Sequence, residues 1–340
     1  MAPPLRGKRG KGEHLMTFVV IAAVLAALVV LTAYICFRMA FYVPDKSRPD
    51  PSVIQVPDGS IYMPYHEDMY RWAREMRAMP QRHAYITSHD GLRLHARFFE
   101  YAPGASVEIM FHGYRGTAER DLSGGVQRCY SLGRSVLLVD QRGAGESEGR
   151  VISFGINESR DCLRWVDWLI RDQGEDVKII LTGISMGATT VMIAAGRPLP
   201  PQVVGVIADC GFSSAREIIC EVMRGMKLPP KVFYPFVKLG ARLFGHFDLE
   251  ETTAEEAMKS CRLPVFFIHG EDDRFVPCEM SRKCHAACAG PKFLFTVPEA
   301  GHGMGYLMAS DDYRRALTQF SRENGIPIEN HWEKGENDHV

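Results

Sequence analysis

Short apolar runs, each about one strand long, recur along the chain with longer amphipathic segments between them, and this spacing constrains the fold more than any other feature. The runs are Val107 to Phe111, Ser135 to Val139, Val177 to Leu181, Val203 to Ile207, Pro264 to Ile268 and Phe293 to Val297. Mostly apolar runs of this length suit strands covered on both faces. Asn157 to Arg171, Met186 to Ala195 and Tyr306 to Arg322 carry apolar residues near helical spacing and suit the crossovers. The expected architecture is α/β, a mostly parallel central sheet with helices on both faces. Ahead of it, Ala84 to Phe99 alternates around His89-Asp90-Gly91, which predicts a hairpin.

Two segments stand outside this rhythm. Thr17 to Phe37 is an uncharged run that as a helix extends roughly 30 Å, the thickness of a bilayer core. It is too long for the apolar part of a cleaved signal peptide and no A-x-A-like site follows it, so it predicts a single transmembrane anchor over 17–37. Arg6, Lys8, Arg9 and Lys11 precede the run and Arg38, Lys46 and Arg48 follow it. That bias favours a cytoplasmic N-terminus and an extracytoplasmic domain. Nine cysteines, without the dense even pattern of a disulfide scaffold, pull toward a reducing compartment. The second segment is an insertion at 213–260, far longer than a crossover helix needs. Its Met223, Met226, Leu228, Phe233, Tyr234, Phe236, Phe244 and Phe247 either close an apolar pocket as a helical lid or seat the insertion on the body. The chain then divides into a basic tail at 1–16, the anchor at 17–37, a juxtamembrane linker with a short amphipathic helix near Glu67 to Met79 at 38–80, one folded domain at 81–325 and a tail at 326–340.

Lys and Arg number 40 against 41 Asp and Glu, so no net field recruits a polyanion and nucleic acid is not an expected partner. Cys278, Cys284 and Cys288 with His285 lack metal-ligand spacing and read as packing, so no metal or other cofactor is expected.

The run ending at Leu181 leads into Gly183-Ile184-Ser185-Met186-Gly187 and then a helical segment. This is G-x-S-x-G in a strand, turn and helix, where flanking glycines let a sharp bend lift the serine hydroxyl above the sheet edge. A serine hydroxyl attacks only when an imidazole takes its proton. His302 fits, flanked by glycines in Glu299-Ala-Gly-His302-Gly just beyond the last strand run. His112 and His269 precede glycines at strand ends and read as structural. A carboxylate must orient that imidazole, and Asp273 lies in the loop after Pro264 to Ile268, with Asp209 and Asp272 as the other candidates.

The order Ser185, Asp273, His302, together with Phe111-His-Gly-Tyr-Arg-Gly116 and Asp140-Gln-Arg-Gly-Ala-Gly-Glu-Ser147, resembles the α/β-hydrolase superfamily, particularly its membrane-anchored lipase-like and prolyl-oligopeptidase-related serine hydrolases. The resemblance spans about Ala84 to Asn324. It implies an oxyanion hole from the backbone N–H groups of Tyr114 and Met186, a rim role for the Asp140 to Gly149 loop, and no cofactor. The expected activity is hydrolysis of a small-molecule or lipid-like carboxylic ester. A serine peptidase and a non-catalytic membrane-tethered binding protein are the alternatives.

Overall fold

The computed structural model describes residues 9–44, 50 and 52–329, with the side chains of residues 9–12 left aside. The basic residues Arg6 and Lys8, part of the linker, and the tail from 330 onward lie outside them. In chain order the elements are α1 (Arg9–Ala40), a 3-10 turn (Met63–Tyr65), α2 (His66–Ala78), β1 (Arg82–Thr87), β2 (Arg93–Phe99), β3 (Val107–Phe111), α3 (Ala118–Ser131), β4 (Ser135–Asp140), α4 (Ile156–Gln173), β5 (Ile179–Ile184), α5 (Met186–Ala195), β6 (Val203–Asp209), α6 (Ala215–Gly225), α7 (Pro230–Phe244), α8 (Ala254–Ser260), β7 (Val265–Gly270), α9 (Cys278–Ala287), β8 (Lys292–Val297), α10 (Gly305–Met308) and α11 (Ser310–Glu323).

The strands form one sheet in the order β1-β2-β4-β3-β5-β6-β7-β8. β1, β2 and β4 pair antiparallel, and every pairing from β4 onward is parallel. Each of the six expected runs became a strand, shifted by at most a few residues, because a strand buried on both faces needs only apolar side chains and a free ladder. Alternation within them splits the core. Ile109 and Phe111 join Trp165 and Val191 on one face, whereas Met110 joins Leu122, Val126 and Met76 on the other. Phe266 and Ile268 pack beneath Tyr313, Leu317 and Phe320 of α11.

The buried charge on β3 is matched. Glu108 on β3 meets Arg128 at 2.5 Å, Arg134 at 2.6 Å and the Thr182 hydroxyl at 2.9 Å. Burial alone would push its carboxyl up, but the two guanidinium groups hold it at about 2. Arg134 also donates to the Pro327 carbonyl, which ties the chain's last described turn to the sheet.

α1 runs to Ala40, and Glu13–Ala40 is long and apolar enough to cross a membrane. Its C-terminal end packs on the rest of the protein. Ala33, Phe37 and Phe41, spaced four apart, are buried, as one face of a helix seated on a neighbour would be. The neighbour is α7, from the insertion. Phe244 lies 5.8 Å from Phe37 and 5.1 Å from Tyr34, ring centre to ring centre, and Phe247 lies 5.3 Å from Phe41. Gly240 permits the approach, since a Cβ there would stand 2.4 Å from the Ala33 carbonyl oxygen and 3.0 Å from Phe37 Cβ. Gly240→Ala must therefore push α1 and α7 apart. Tryptic cleavage after Arg38, followed by mass spectrometry, should be faster in that variant than in the wild type, and equal rates would contradict this packing.

Candidate active site

β5 ends in a bend that few sequences tolerate. Ser185 has φ 56° and ψ −118°, a region disfavoured for any residue with a Cβ. Hydrogen bonding enforces it, because the Ser185 N–H donates to the Asp209 carbonyl at 2.7 Å and its carbonyl accepts from the Thr189 N–H in α5. Both flanking glycines are sterically required. A Cβ on Gly183 would lie 2.2 Å from the Gly187 carbonyl, and one on Gly187 would lie 2.0 Å from the Phe111 carbonyl oxygen. The bend thus presses α5 against the ends of β3 and β5 and leaves the Ser185 hydroxyl facing a cavity.

The other two expected residues meet it there. His302 Nε2 is 2.9 Å from Ser185 Oγ, and His302 Nδ1 is 2.7 Å from Asp273 Oδ2. Since an ionised carboxylate only accepts, Nδ1 carries the ring proton and Nε2 offers its lone pair to the hydroxyl. Asp273 Oδ1 accepts from the N–H groups of Phe275 and Val276 at 2.9 and 2.8 Å. Burial pushes the Asp273 carboxyl up, but hydrogen bonds from His269 and His302 outweigh it and leave the group well below the ordinary carboxylate range. The chain Asp273, His302, Ser185 is continuous.

The remaining candidates separate by their partners. His112 donates from Nδ1 to the Gly113 carbonyl at 2.8 Å and accepts the Gln141 N–H at Nε2. His269 lies 2.6 Å from the Ser281 hydroxyl and donates to the Val276 carbonyl. Both are structural hydrogen-bonders. Asp272 pairs with Arg274 at the surface.

Asp209 lines the cavity rather than meeting the imidazole. Burial raises its carboxyl to about 6, against the charges of His269 and His302. Unfolded, an aspartate titrates near 3.9, so between about pH 4 and 6 the folded chain holds the extra proton. That contribution favours the fold at low pH and is lost as pH rises through 6. Asp209→Asn should accordingly raise the melting temperature by a few degrees at pH 8 and leave it unchanged at pH 4. A shift equal at both pH values would contradict the assignment.

Met186 opens α5, where helix geometry leaves its N–H without an intrahelical acceptor. Tyr114 lines the cavity in the loop after β3. Within that loop the Gly113 N–H is taken by Asp121 Oδ2 at 2.9 Å. The loop also holds the end of α1: the Tyr114 hydroxyl donates to the Ala40 carbonyl at 2.8 Å, and Arg115 donates to the Met39 and Tyr42 carbonyls at 2.8 and 3.2 Å. Carbonyls at a helix C-terminus lack internal partners, and here the loop's side chains supply them. The expected rim loop is held from below, with Asp140 accepting from His95 and Arg142 paired with Asp161.

The cavity encloses about 280 Å³. Its walls differ from the expected ones. None of its lining residues comes from 213–260, so the insertion does not cap it; its Phe244 and Phe247 pack against the end of α1 instead. Pro57, Tyr62, Met69 and Trp72 form a wall from the segment read as a linker, facing Met110 and Leu122. The Tyr62 hydroxyl donates to the His302 carbonyl at 2.7 Å, which fixes the loop carrying the imidazole. Cys210 also escaped the sequence reading: its Sγ sits 4.0 Å from His302 Nε2.

A family model described as "alpha/beta hydrolase fold" matches residues 109–245. "Uncharacterized protein YqkD" of Bacillus subtilis is 29% identical over 190 residues, covering 56% of this chain and 62% of the relative. "Lysophosphatidylserine lipase ABHD12" of Mus musculus is 26% identical over 242 residues, covering 64% of this chain and 56% of that one. The chain thus spans about three fifths of the length of these relatives. The Pyrococcus furiosus esterase Pf2001 superposes with a TM-score of 0.59 at 20% identity, over 81% of this chain and 97% of that one. By its strand order, the sharp bend at Ser185 and the family model matched within its sheet, the chain has the α/β-hydrolase fold.

Proposed function

We propose that the chain is a membrane-anchored serine hydrolase that cleaves carboxylic esters through an acyl-enzyme on Ser185. The observation that carries this reading is the unbroken hydrogen-bonded path from Asp273 through His302 to the Ser185 hydroxyl, at 2.7 and 2.9 Å. His302 Nε2 takes the hydroxyl proton as Oγ attacks the acyl carbon. The imidazolium that forms is stabilised by Asp273 and returns its proton to the leaving alcohol. Water, deprotonated by the same nitrogen, then releases the acid. The N–H groups of Tyr114 and Met186 receive the charge on the tetrahedral oxygen, a role worth about 10² to 10³ in rate per donor.

An apolar acyl or alkyl group suits the cavity, whose walls include Met69, Trp72, Met110, Leu122 and Leu307. The relative named as a lysophosphatidylserine lipase agrees with a lipid-like ester. So does the docking of α1: the Tyr114 hydroxyl joins the cavity wall to the end of the anchor helix, so substrate would be drawn from near the bilayer. We read residues 17–37 as lying within that anchor and the catalytic domain as beginning near 81, with the 57–72 segment added to it as a cavity wall.

The test is a panel of nitrophenyl esters graded in acyl length, each with its matched anilide, given to wild type and Ser185→Ala. Wild type should turn over esters of medium or long acyl chain well above their anilides, and the variant neither. A preference for the anilides would move the reading to a peptidase. Turnover of no ester by wild type would contradict hydrolysis altogether.

A further inference from the structure

A cluster on the β1–β2 hairpin takes no part in the chemistry proposed above. His83 on β1 and His95 on β2 are diagonal neighbours across the ladder, since Arg97 faces His83 and Tyr85 faces His95. His83 Nδ1 lies 2.8 Å from His95 Nε2. Glu146, from the loop after β4, brings Oε1 to 3.8 Å from that His83 nitrogen and 3.9 Å from that His95 nitrogen. A point about 2.1 Å from all three atoms lies at the centre of the triangle they form, which is the bond length zinc makes to imidazole nitrogen and carboxylate oxygen.

The groups behind the triangle match metal-site chemistry. His95 Nδ1 lies 2.8 Å from Asp140 Oδ2, and both side chains are buried. Nδ1 therefore carries the ring proton, and Nε2, at a corner of the triangle, keeps its lone pair, the arrangement in which a carboxylate fixes a ligating histidine. Glu146 is held as well, by its own N–H on Asp140 Oδ2 at 3.1 Å and by the Tyr85 hydroxyl on its Oε2 at 3.2 Å. A hydrogen-bond network alone would use the two histidines but leave Glu146 Oε1 beyond reach of either nitrogen. A cation uses all three. His83 meets the requirement by carrying its proton on Nε2, so neutral ligands bind with no net loss of a proton. Two other clusters of such side chains occur among the described residues. Asp90 and Asp161 beside His89 already hold the Arg142 guanidinium, and Cys210 with Asp273 and His302 lies in the candidate active site.

We propose that His83, His95 and Glu146 bind a divalent transition metal of the zinc type, leaving a fourth position for water. Imidazole and carboxylate together select such ions over magnesium or calcium. The ligands come from β1, β2 and the Asp140 to Gly149 loop, so the ion ties the edge hairpin to the loop beside the sheet's carboxyl end.

Zinc alone, titrated into metal-free full-length protein without an affinity tag, tests this by calorimetry and thermal denaturation. Wild type should bind one equivalent at this site and melt at a higher temperature with zinc. His83→Ala and Glu146→Gln, both at solvent-exposed side chains, should keep the metal-free melting temperature, bind at least tenfold more weakly and lose the zinc-dependent rise. Absence of any zinc effect in wild type, affinities within twofold across the three proteins, or binding abolished by Cys210→Ala but kept by His83→Ala would each overturn the assignment.

Discussion

Ser185→Ala should lower ester turnover by roughly 10⁵- to 10⁶-fold, the loss expected when the nucleophile of a concerted triad is removed. The melting temperature should hardly move. Alanine keeps the Cβ and inherits the same positive φ, and the backbone bonds to Asp209 and Thr189 that impose the bend do not involve the hydroxyl. Steady-state assays with a short nitrophenyl ester, alongside thermal denaturation of both proteins, measure the two quantities. A variant retaining more than about a thousandth of the activity would mean that another group attacks, since the oxyanion donors and binding alone leave only about 10³ to 10⁴ over water.

Asp273→Asn should cost about 10⁴ in kcat, although it changes one atom. An asparagine amide can turn its NH₂ toward His302 Nδ1. The ring proton then moves to Nε2, the nitrogen that must accept from Ser185, and the base is blocked. The amide oxygen then stays on the Phe275 and Val276 N–H groups, but the charged acceptor of the His302 ring N–H is gone, so some stability is lost as well, and its pH dependence has a definite sign. The Asp273 carboxyl titrates below its unfolded value, so it stabilises the fold above about pH 4 and ceases to do so as pH falls toward the folded value. Wild type and variant should therefore differ most in melting temperature near neutrality and converge in acid. Divergence on acidification would contradict the hydrogen-bonding assigned to this group.

Much of this architecture was written locally. The strands were legible because β3, β4 and β5 are buried on both faces and so mostly apolar, and the bend was legible because Gly183 and Gly187 have no substitutes there. What escaped depends on neighbours distant in sequence. α3 has only a narrow apolar stripe, Ala118, Leu122, Val126 and Cys129, because Gly124 and Gly125 replace side chains where Trp72 and Met110 press against it, at 2.7 and 2.4 Å from a Cβ. Tyr306 to Arg322 reads as one helix, yet Ala309, at φ −137° and ψ 44°, breaks it into α10 and α11. The cavity wall was misplaced for a similar reason. Tyr62 sits in a segment rich in Pro, Asp and Ser, without periodicity, and its role is defined by the His302 carbonyl 240 residues away. The insertion's aromatics were visible in the sequence, but their partners on α1 were not, because Ala33 and Phe37 lie in a stretch whose uniform hydrophobicity hides which face meets protein.

The most direct measurement is the site of covalent capture. Purified protein treated with a fluorophosphonate, digested and mapped by mass spectrometry should carry one adduct, on the Ser185 Oγ, with labelling that vanishes in Ser185→Ala. An adduct on any other residue, or labelling undiminished in that variant, would contradict the account.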